Sequence, residues 1–262
     1  MHERHLRRAC GIMEGISDGL AVCMKEGMKR NKQLPLSIWA ALHKLTKGME
    51  VKMSTEILLI RHGETLWNKL GKFQGSVDIE LSEDGRKQAR ALKKVLKNDF
   101  QAVYASPLTR AMETAHILCE GTSLQAIPCE GMKEINFGAW EGLTFNEIKN
   151  NYPEEFNAWR TDEKEGPLVG GDLSLLNASL RAAEAIRTVA ENHQGEKVLI
   201  IAHGGIIKAG LIGLFEWKMT MYHHFYVGNT AISKLNFRSS DDPVLESFND
   251  TNHLKDASFF IV

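Results

Sequence analysis

An excess of charge of either sign is missing from this chain as a whole. Its 32 Lys+Arg stand against 33 Asp+Glu, a net charge of -1, which removes any bulk attraction to nucleic acid or to an anionic membrane surface. Long apolar runs are missing too: no stretch of about 18 apolar residues occurs, so no transmembrane helix is expected. Arg4, Arg7 and Arg8 imitate the basic start of a signal peptide, but Glu14 and Asp18 interrupt the apolar region that should follow. The four cysteines, Cys10, Cys23, Cys119 and Cys129, lack C-x-x-C spacing. A chain of 262 residues needs no disulfide staples, so they read as reduced thiols in a cytoplasmic protein. There is no H-E-x-x-H helix for zinc and no Gly-Lys-Ser/Thr phosphate loop. Internal repeats and low-complexity tracts are absent as well.

What is present divides in two. Residues 1–52 hold ten Lys/Arg against five Asp/Glu, while 53–262 hold twenty-two against twenty-eight, a basic leader before an acidic body. Helical patterns at 11–28 and 36–47 are loose, and Gly11, Gly15, Gly19 and Gly27 weaken the first, which favours a poorly ordered leader over a partner-binding or membrane-surface helix. Met53 begins a sequence that would make a domain by itself, so the leader reads as an over-extended gene start, and 53–262 as the domain proper.

From Met53 onward, short β-like runs alternate with helical ones, the pattern of an α/β sheet with helices on its faces. Strands are expected at 56–60, 101–105, 197–202 and 230–237. The first and third are nearly unbroken apolar runs, as central parallel strands require. Ser82 caps a helix through 97 with Gln88, Ala89, Ala91, Leu92, Val95 and Leu96 as its buried face. Ser106-Pro107 opens a helix over 107–119. Residues 174–193 form a long helix with the stripe Leu176, Leu180, Ala183, Ile186 and Val189.

Four places carry chemistry. Strand 56–60 ends in Arg61-His62-Gly63-Glu64-Thr65, at the sheet edge where α/β proteins bind ligands. A guanidinium there neutralises a phosphoryl group, an imidazole attacks it, and the glycine lets backbone N–H groups approach an anion. Strand 197–202 ends in His203-Gly204-Gly205; a lone histidine is usually structural, but a second strand ending in the same way reverses those odds. Arg110 falls in the first turn of its helix, where N–H groups already favour an anion. The loop Glu134-Ile135-Asn136-Phe137-Gly138-Ala139-Trp140-Glu141-Gly142 offers two acids, either of which suits protonation of a leaving oxygen. A metal site from His62, His203, His223, His224 and Glu134 lacks any regular ligand spacing; His223-His224 are expected in a loop near the C-terminal sheet, one of them at the pocket rim.

These motifs, in this order, resemble the histidine phosphatase superfamily, also called the phosphoglycerate mutase-like family, over residues 54–254. Arg61-His62-Gly63 matches its RHG motif, extended by Glu64-Thr65, Trp67 and Asn68. The resemblance implies a three-layer α/β/α sandwich with a mostly parallel central sheet. It implies His62 as the nucleophile that becomes phosphohistidine, with Arg61, Arg110 and His203 around the phosphoryl group and Asn68 and Gly204 completing the phosphate site. Glu134 matches the family's proton donor and Glu141 becomes structural, while Gln74-Gly75 meets the rest of the substrate. No metal and no cofactor are implied. The expected ligand is a small-molecule phosphomonoester, without nucleic-acid or membrane partners, in a chain for which a homodimer is an open assembly. Gly170-Gly171-Asp172-Leu173-Ser174 departs from the family's Gly-Gly-Glu-Ser, which puts the substrate-side wall in question. The acidic segment 143–171 and the compact 137–142 loop favour a phosphatase over a cofactor-dependent phosphoglycerate mutase. The shared motifs concern the phosphate and leave the alcohol open, so an α-ribazole 5'-phosphate phosphatase is a competing reading. A catalytically idle binding protein is disfavoured by the complete set of active-site residues.

Overall fold

Two apolar runs far apart in sequence lie side by side at the centre of the molecule. The structure is a computed structural model that describes residues 54–255; the leader and the helices expected in it lie outside those residues. Strand β1 (Thr55–Arg61) pairs parallel with β4 (Lys197–Ala202), Ile57 opposite Val198 and Arg61 opposite Ala202. Together with β2 (Ala102–Ala105), β3 (Ala126–Pro128), β5 (Ile232–Phe237) and β6 (Pro243–Asp250) they form one sheet in the order β3-β2-β4-β1-β5-β6. The first four are parallel, and β5 and β6 close one edge antiparallel.

Because side chains alternate across a strand, β1 and β4 divide their residues between two apolar layers. Ile57, Leu59, Val198 and Ile200 face a core shared with helices α6 (Leu175–Asn192) and α7 (Gly204–Leu214). Leu58, Ile60, Leu199 and Ile201 face a second core with α2 (Glu83–Leu96) and α3 (Thr109–Cys119). Each such buried Ile or Leu stabilises the fold by about 1.5–3 kcal/mol, so both central strands are held from both sides. This is the expected α/β/α sandwich.

Several local expectations change. The helix after β2 starts at Thr109, with Leu108 at the cap position and no side-chain cap; Ser106 instead turns its hydroxyl toward His203. In α6 the buried stripe is Leu175, Ala178, Ala182, Ile186 and Val189, and Leu180 is exposed. The small residues of that stripe let α7 come close: a Cβ at Gly210 would stand 2.9 Å from Ile186 Cδ1. Val95 is likewise exposed on α2. Strand β5 begins two residues later than expected, because Thr230 takes a left-handed φ of 55° that no strand admits. Strands β3 and β6, short helix α1 (Leu66–Lys69), and helices α4 (Phe145–Asn151) and α5 (Pro153–Thr161) are further elements without a sequence-level expectation.

Candidate active site

The pairing of Arg61 with Ala202 sets the next residue of each strand, His62 and His203, abreast at the carboxyl edge of the sheet, their ring centres 5.1 Å apart. His62 Nδ1 lies 2.5 Å from the carbonyl oxygen of Gly63. A carbonyl can only accept, so Nδ1 carries the proton and Nε2 keeps its lone pair. Burial, followed by the charges of Arg110 and Arg61, holds the His62 pKa well below the usual imidazole range. The ring is therefore neutral at neutral pH.

Arg110 is wholly buried. Its Nε donates to His203 Nδ1 at 3.1 Å, Nη1 to the Val77 carbonyl and Nη2 to the Gly75 carbonyl, both at 2.8 Å. Three of its five N–H groups are thus spent on protein, and one on each terminal nitrogen remains for a ligand. Burial draws its pKa down to about 10, against the opposing pull of Glu134 and Asp78, so it stays cationic. His203 accepts from Arg110 on Nδ1, which places its proton on Nε2, 2.7 Å from Ser106 Oγ. Burial, with Arg110 and His62 adding to it, keeps that ring neutral too.

The backbone around His62 does not form the anion cradle expected of Gly63. His62 N donates to Ala202 O, Gly63 N to Thr114 Oγ1, Glu64 N to Gln88 Oε1 and Thr65 N to Asn68 Oδ1. Gly63 is needed for close approach instead, since a Cβ there would stand 2.5 Å from the Gly85 carbonyl oxygen on α2. Side chains, rather than main-chain N–H groups, supply the positive charge here. Arg61 donates from Nη1 to the Val227 carbonyl at 2.6 Å, and its buried Nε has no partner.

Glu134 reaches the first turn of α7 from its loop. It accepts from Gly205 N at 3.1 Å and Ile206 N at 2.8 Å, and from its neighbour Ile135 N at 2.9 Å. This fixes the acid beside the strand end that carries His203, with Gly204 between them; a Cβ at Gly204 would stand 3.3 Å from Arg61 Nε. Glu141 has a different task, accepting from Ser76 N and Phe137 N and so tying the 74–76 loop to the 137 loop.

Arg61, His62, Asn68, Gln74, Gly75, Arg110, Glu134 and Gly204 all line one cavity of about 700 Å³. His203 does not line it: the ring lies behind Arg110, with both nitrogens engaged by protein. Asn68 Oδ1 is occupied by Thr65 and Asn229, which leaves its amide NH2 for a ligand, and Gln74 Oε1 is buried without a partner. Neither His223 nor His224 lines the cavity; His223 donates from Nε2 to the Trp159 carbonyl and packs edge-on against Trp159. Nor does Asp172 shape the substrate side: it accepts from Asn136 N and pairs with Arg181 at 3.1 Å, steadying the Glu134 loop from outside. Among the described residues, no three His, Cys, Asp or Glu side chains converge as a metal site would require.

Sequence reasoning passes over several wall residues, among them Lys72, Phe145, Lys208, Tyr222 and Tyr226. Lys208 has a signal: four residues past Gly204 on a helix is the same face. Tyr222 and Tyr226 belong to the turn and loop before β5 and have none.

Against known proteins, the family model described as the histidine phosphatase superfamily (branch 1) matches residues 57–251. A metal-independent phosphoserine phosphatase of Arabidopsis thaliana is 30% identical over 208 residues, 78% of this chain and 85% of its own length. The crystal structure of the Entamoeba histolytica phosphoserine phosphatase in complex with 3-phosphoglyceric acid is 40% identical with a TM-score of 0.71, covering 76% of this chain and 99% of that one. A mycobacterial glucosyl-3-phosphoglycerate phosphatase is 28% identical with a TM-score of 0.66, covering 75% and 99%.

Proposed function

This chain belongs to the histidine phosphatase superfamily and is a hydrolase of small phosphomonoesters, and we propose that His62 is its nucleophile, working in two steps through a phosphohistidine. In the first, the His62 Nε2 lone pair attacks phosphorus in line, the bond to the ester oxygen breaks, and Glu134 gives that oxygen its proton. In the second, water attacks the phosphohistidine, Glu134 takes a proton from it, and inorganic phosphate leaves as His62 recovers its lone pair. Arg61 and the two remaining N–H groups of Arg110 hold the equatorial phosphoryl oxygens, assisted by the Asn68 amide and by Gly204, whose lack of a side chain keeps Arg61 Nε clear. Positioning and fixed charge carry the catalysis, as in phosphoryl transfer generally. His203 serves the site through Arg110, and Gln74 and Gly75 border the alcohol.

The observation that carries this assignment is the tautomer of His62. Its proton is committed to the Gly63 carbonyl, so a neutral nucleophilic nitrogen remains in a cavity walled by two guanidinium groups. Phosphate transfer by His62 also accounts for Glu134 being placed across the same cavity, near enough to the α7 N-terminus to be fixed but open to a leaving group. A small phosphomonoester is the only ligand this chemistry asks for, with no role for nucleic acid or membrane. None of the described helices is long and apolar enough to cross a membrane.

The test is to quench the working enzyme and map the phosphoryl group by mass spectrometry under conditions that preserve phosphohistidine. Phosphate on the peptide bearing His62, absent in His62→Ala, is the expected result. Phosphate on another residue would overturn the nucleophile, and interconversion of 3- and 2-phosphoglycerate faster than phosphate release would replace hydrolysis by mutase chemistry on the same histidine.

A further inference from the structure

Beyond Glu134, the cavity wall carries a cation that the hydrolysis just described does not use. Lys208 lies on α7 three residues past Gly205 and four past Gly204, a spacing that puts all three on one helix face, and all three line the cavity. Along that face the wall changes character in order. Gly204 lies against Arg61 Nε, the phosphate end. At Gly205 a Cβ would stand 2.7 Å from Glu134 Oε1 and 2.8 Å from the Tyr222 hydroxyl, so the proton donor and a phenol converge there. Lys208 follows about one helical turn later, roughly 5 Å along the axis, and helical side chains lean back toward the N-terminus. Its ammonium lies 3.7 Å from the centre of the Tyr222 ring and donates to the Tyr222 carbonyl at 2.9 Å.

Lys208 differs from Lys69, another cation of the same wall. The Lys69 ammonium is held by Glu64 at 3.3 Å and Asp84 at 2.6 Å. Lys208 makes no ion pair among the described residues, and the Tyr222 hydroxyl donates to no protein group among them. Burial pushes the Lys208 amine down to about 8, with Glu134 pulling the other way and Arg61 and Arg160 adding to the fall. A half-buried ammonium without a counter-ion, on the leaving-group side of the proton donor, is unfinished unless a ligand brings the counter-ion.

We propose that Lys208 and the Tyr222 hydroxyl form a carboxylate-binding subsite for the alcohol half of the substrate, which makes the preferred substrates phosphate esters of hydroxy acids. The proposal rests on the hydrolytic assignment above and narrows it. The phosphate lies between His62 and the guanidinium groups, the ester oxygen lies at Glu134, and a carboxylate one or two carbons away from that oxygen reaches Lys208.

O-Phosphoserine and O-phosphoethanolamine differ by the carboxylate alone and make the test. With the full chain, kcat/KM is expected to favour O-phosphoserine by about 10- to 100-fold, the worth of one charged hydrogen bond. Lys208→Met, which keeps the length of the stem and loses the charge, is expected to bring that ratio toward one, mostly through KM for O-phosphoserine, and Lys208→Arg to restore part of it. Tyr222→Phe gives a second reading of the same ratio, with a smaller drop. A wild-type enzyme that treats the two esters alike, or a ratio that Lys208→Met leaves untouched, overturns the subsite. Calorimetric binding of both esters to His62→Ala separates the two assignments. Preference for O-phosphoserine in binding, without phosphate release by the wild type, defeats hydrolysis and keeps the subsite; phosphate release without preference does the reverse.

Discussion

The two ends of the cavity are built by different means. At the phosphate end, His62 and His203 are 2% and 0% exposed, both follow directly from paired central strands, and Arg110 is fixed by three acceptors. At the rim, Tyr226 is 67% and Phe145 41% exposed, and both come from segments that run over the surface. A buried array fixed by strand register and by the three acceptors of Arg110 cannot shift to suit different partners, whereas a rim of half-free side chains can be exchanged without unsettling the sheet. The phosphate chemistry should therefore be brittle to substitution and the choice of alcohol tolerant of it.

The largest break is expected at His62. His62→Ala should lower phosphate release from O-phosphoserine by roughly four orders of magnitude or more, since removal of the proposed covalent nucleophile leaves only binding and charge stabilisation. Circular dichroism and the thermal midpoint check that the sheet survives, and turnover within tenfold of wild type would end the nucleophile assignment. Next comes Arg110→Lys. Lysine keeps the charge but offers a single ammonium where three separate acceptors and a phosphoryl group are now served. A loss of about 100- to 1000-fold in kcat/KM is expected, and a loss under threefold would mean that charge alone is enough at this position.

That division also explains what is legible in the sequence. The strand-end histidines can be read because each follows an apolar run and precedes a glycine, and Arg110 because it falls in the first turn of the helix after β2. The central position of β1 and β4 follows from the same runs, and the match to the family selects Glu134 over Glu141. Ser106 misleads because Ser-Pro before a helix is locally a cap, and only the tertiary contact with His203 at 2.7 Å overrides it. The stripe of α6 is misplaced at Leu180 because large apolar residues dominate a periodicity count, while the real contact with α7 is made through alanines and glycines. Tyr222 and Tyr226 reach the cavity through a turn whose path is set by long-range packing, and nothing local announces it.

The phosphate end should also make stability sensitive to acid. His62 and His203 are both held neutral in the fold, chiefly by burial. As pH falls below about 6.5, the unfolded chain binds protons that the folded chain refuses, so each contributes a loss of about 1.4 kcal/mol per pH unit until its folded pKa is reached. Above about 6.5 neither state is protonated, and these two groups add no slope. Urea denaturation at pH 7, 6 and 5 should show stability falling with pH. His203→Asn should flatten the dependence by about one proton, and an unchanged slope would show that His203 is not held neutral by burial.

The smallest effect is expected at the rim, from Tyr226→Ser. Tyr226 lines the cavity while remaining largely exposed, so truncation removes little buried area and leaves no buried polar group unpaired. A change in kcat/KM of no more than about threefold should follow, confined to KM, with the acid dependence of stability left as in the wild type. If Tyr226→Ser costs as much as Arg110→Lys, the rim is part of the catalytic array, and the proposed tolerance for different alcohols fails. If it is silent while Lys208→Met erases the preference for a carboxylate, then selection of the alcohol lies with one half-buried ammonium beside Glu134 rather than with the rim as a whole.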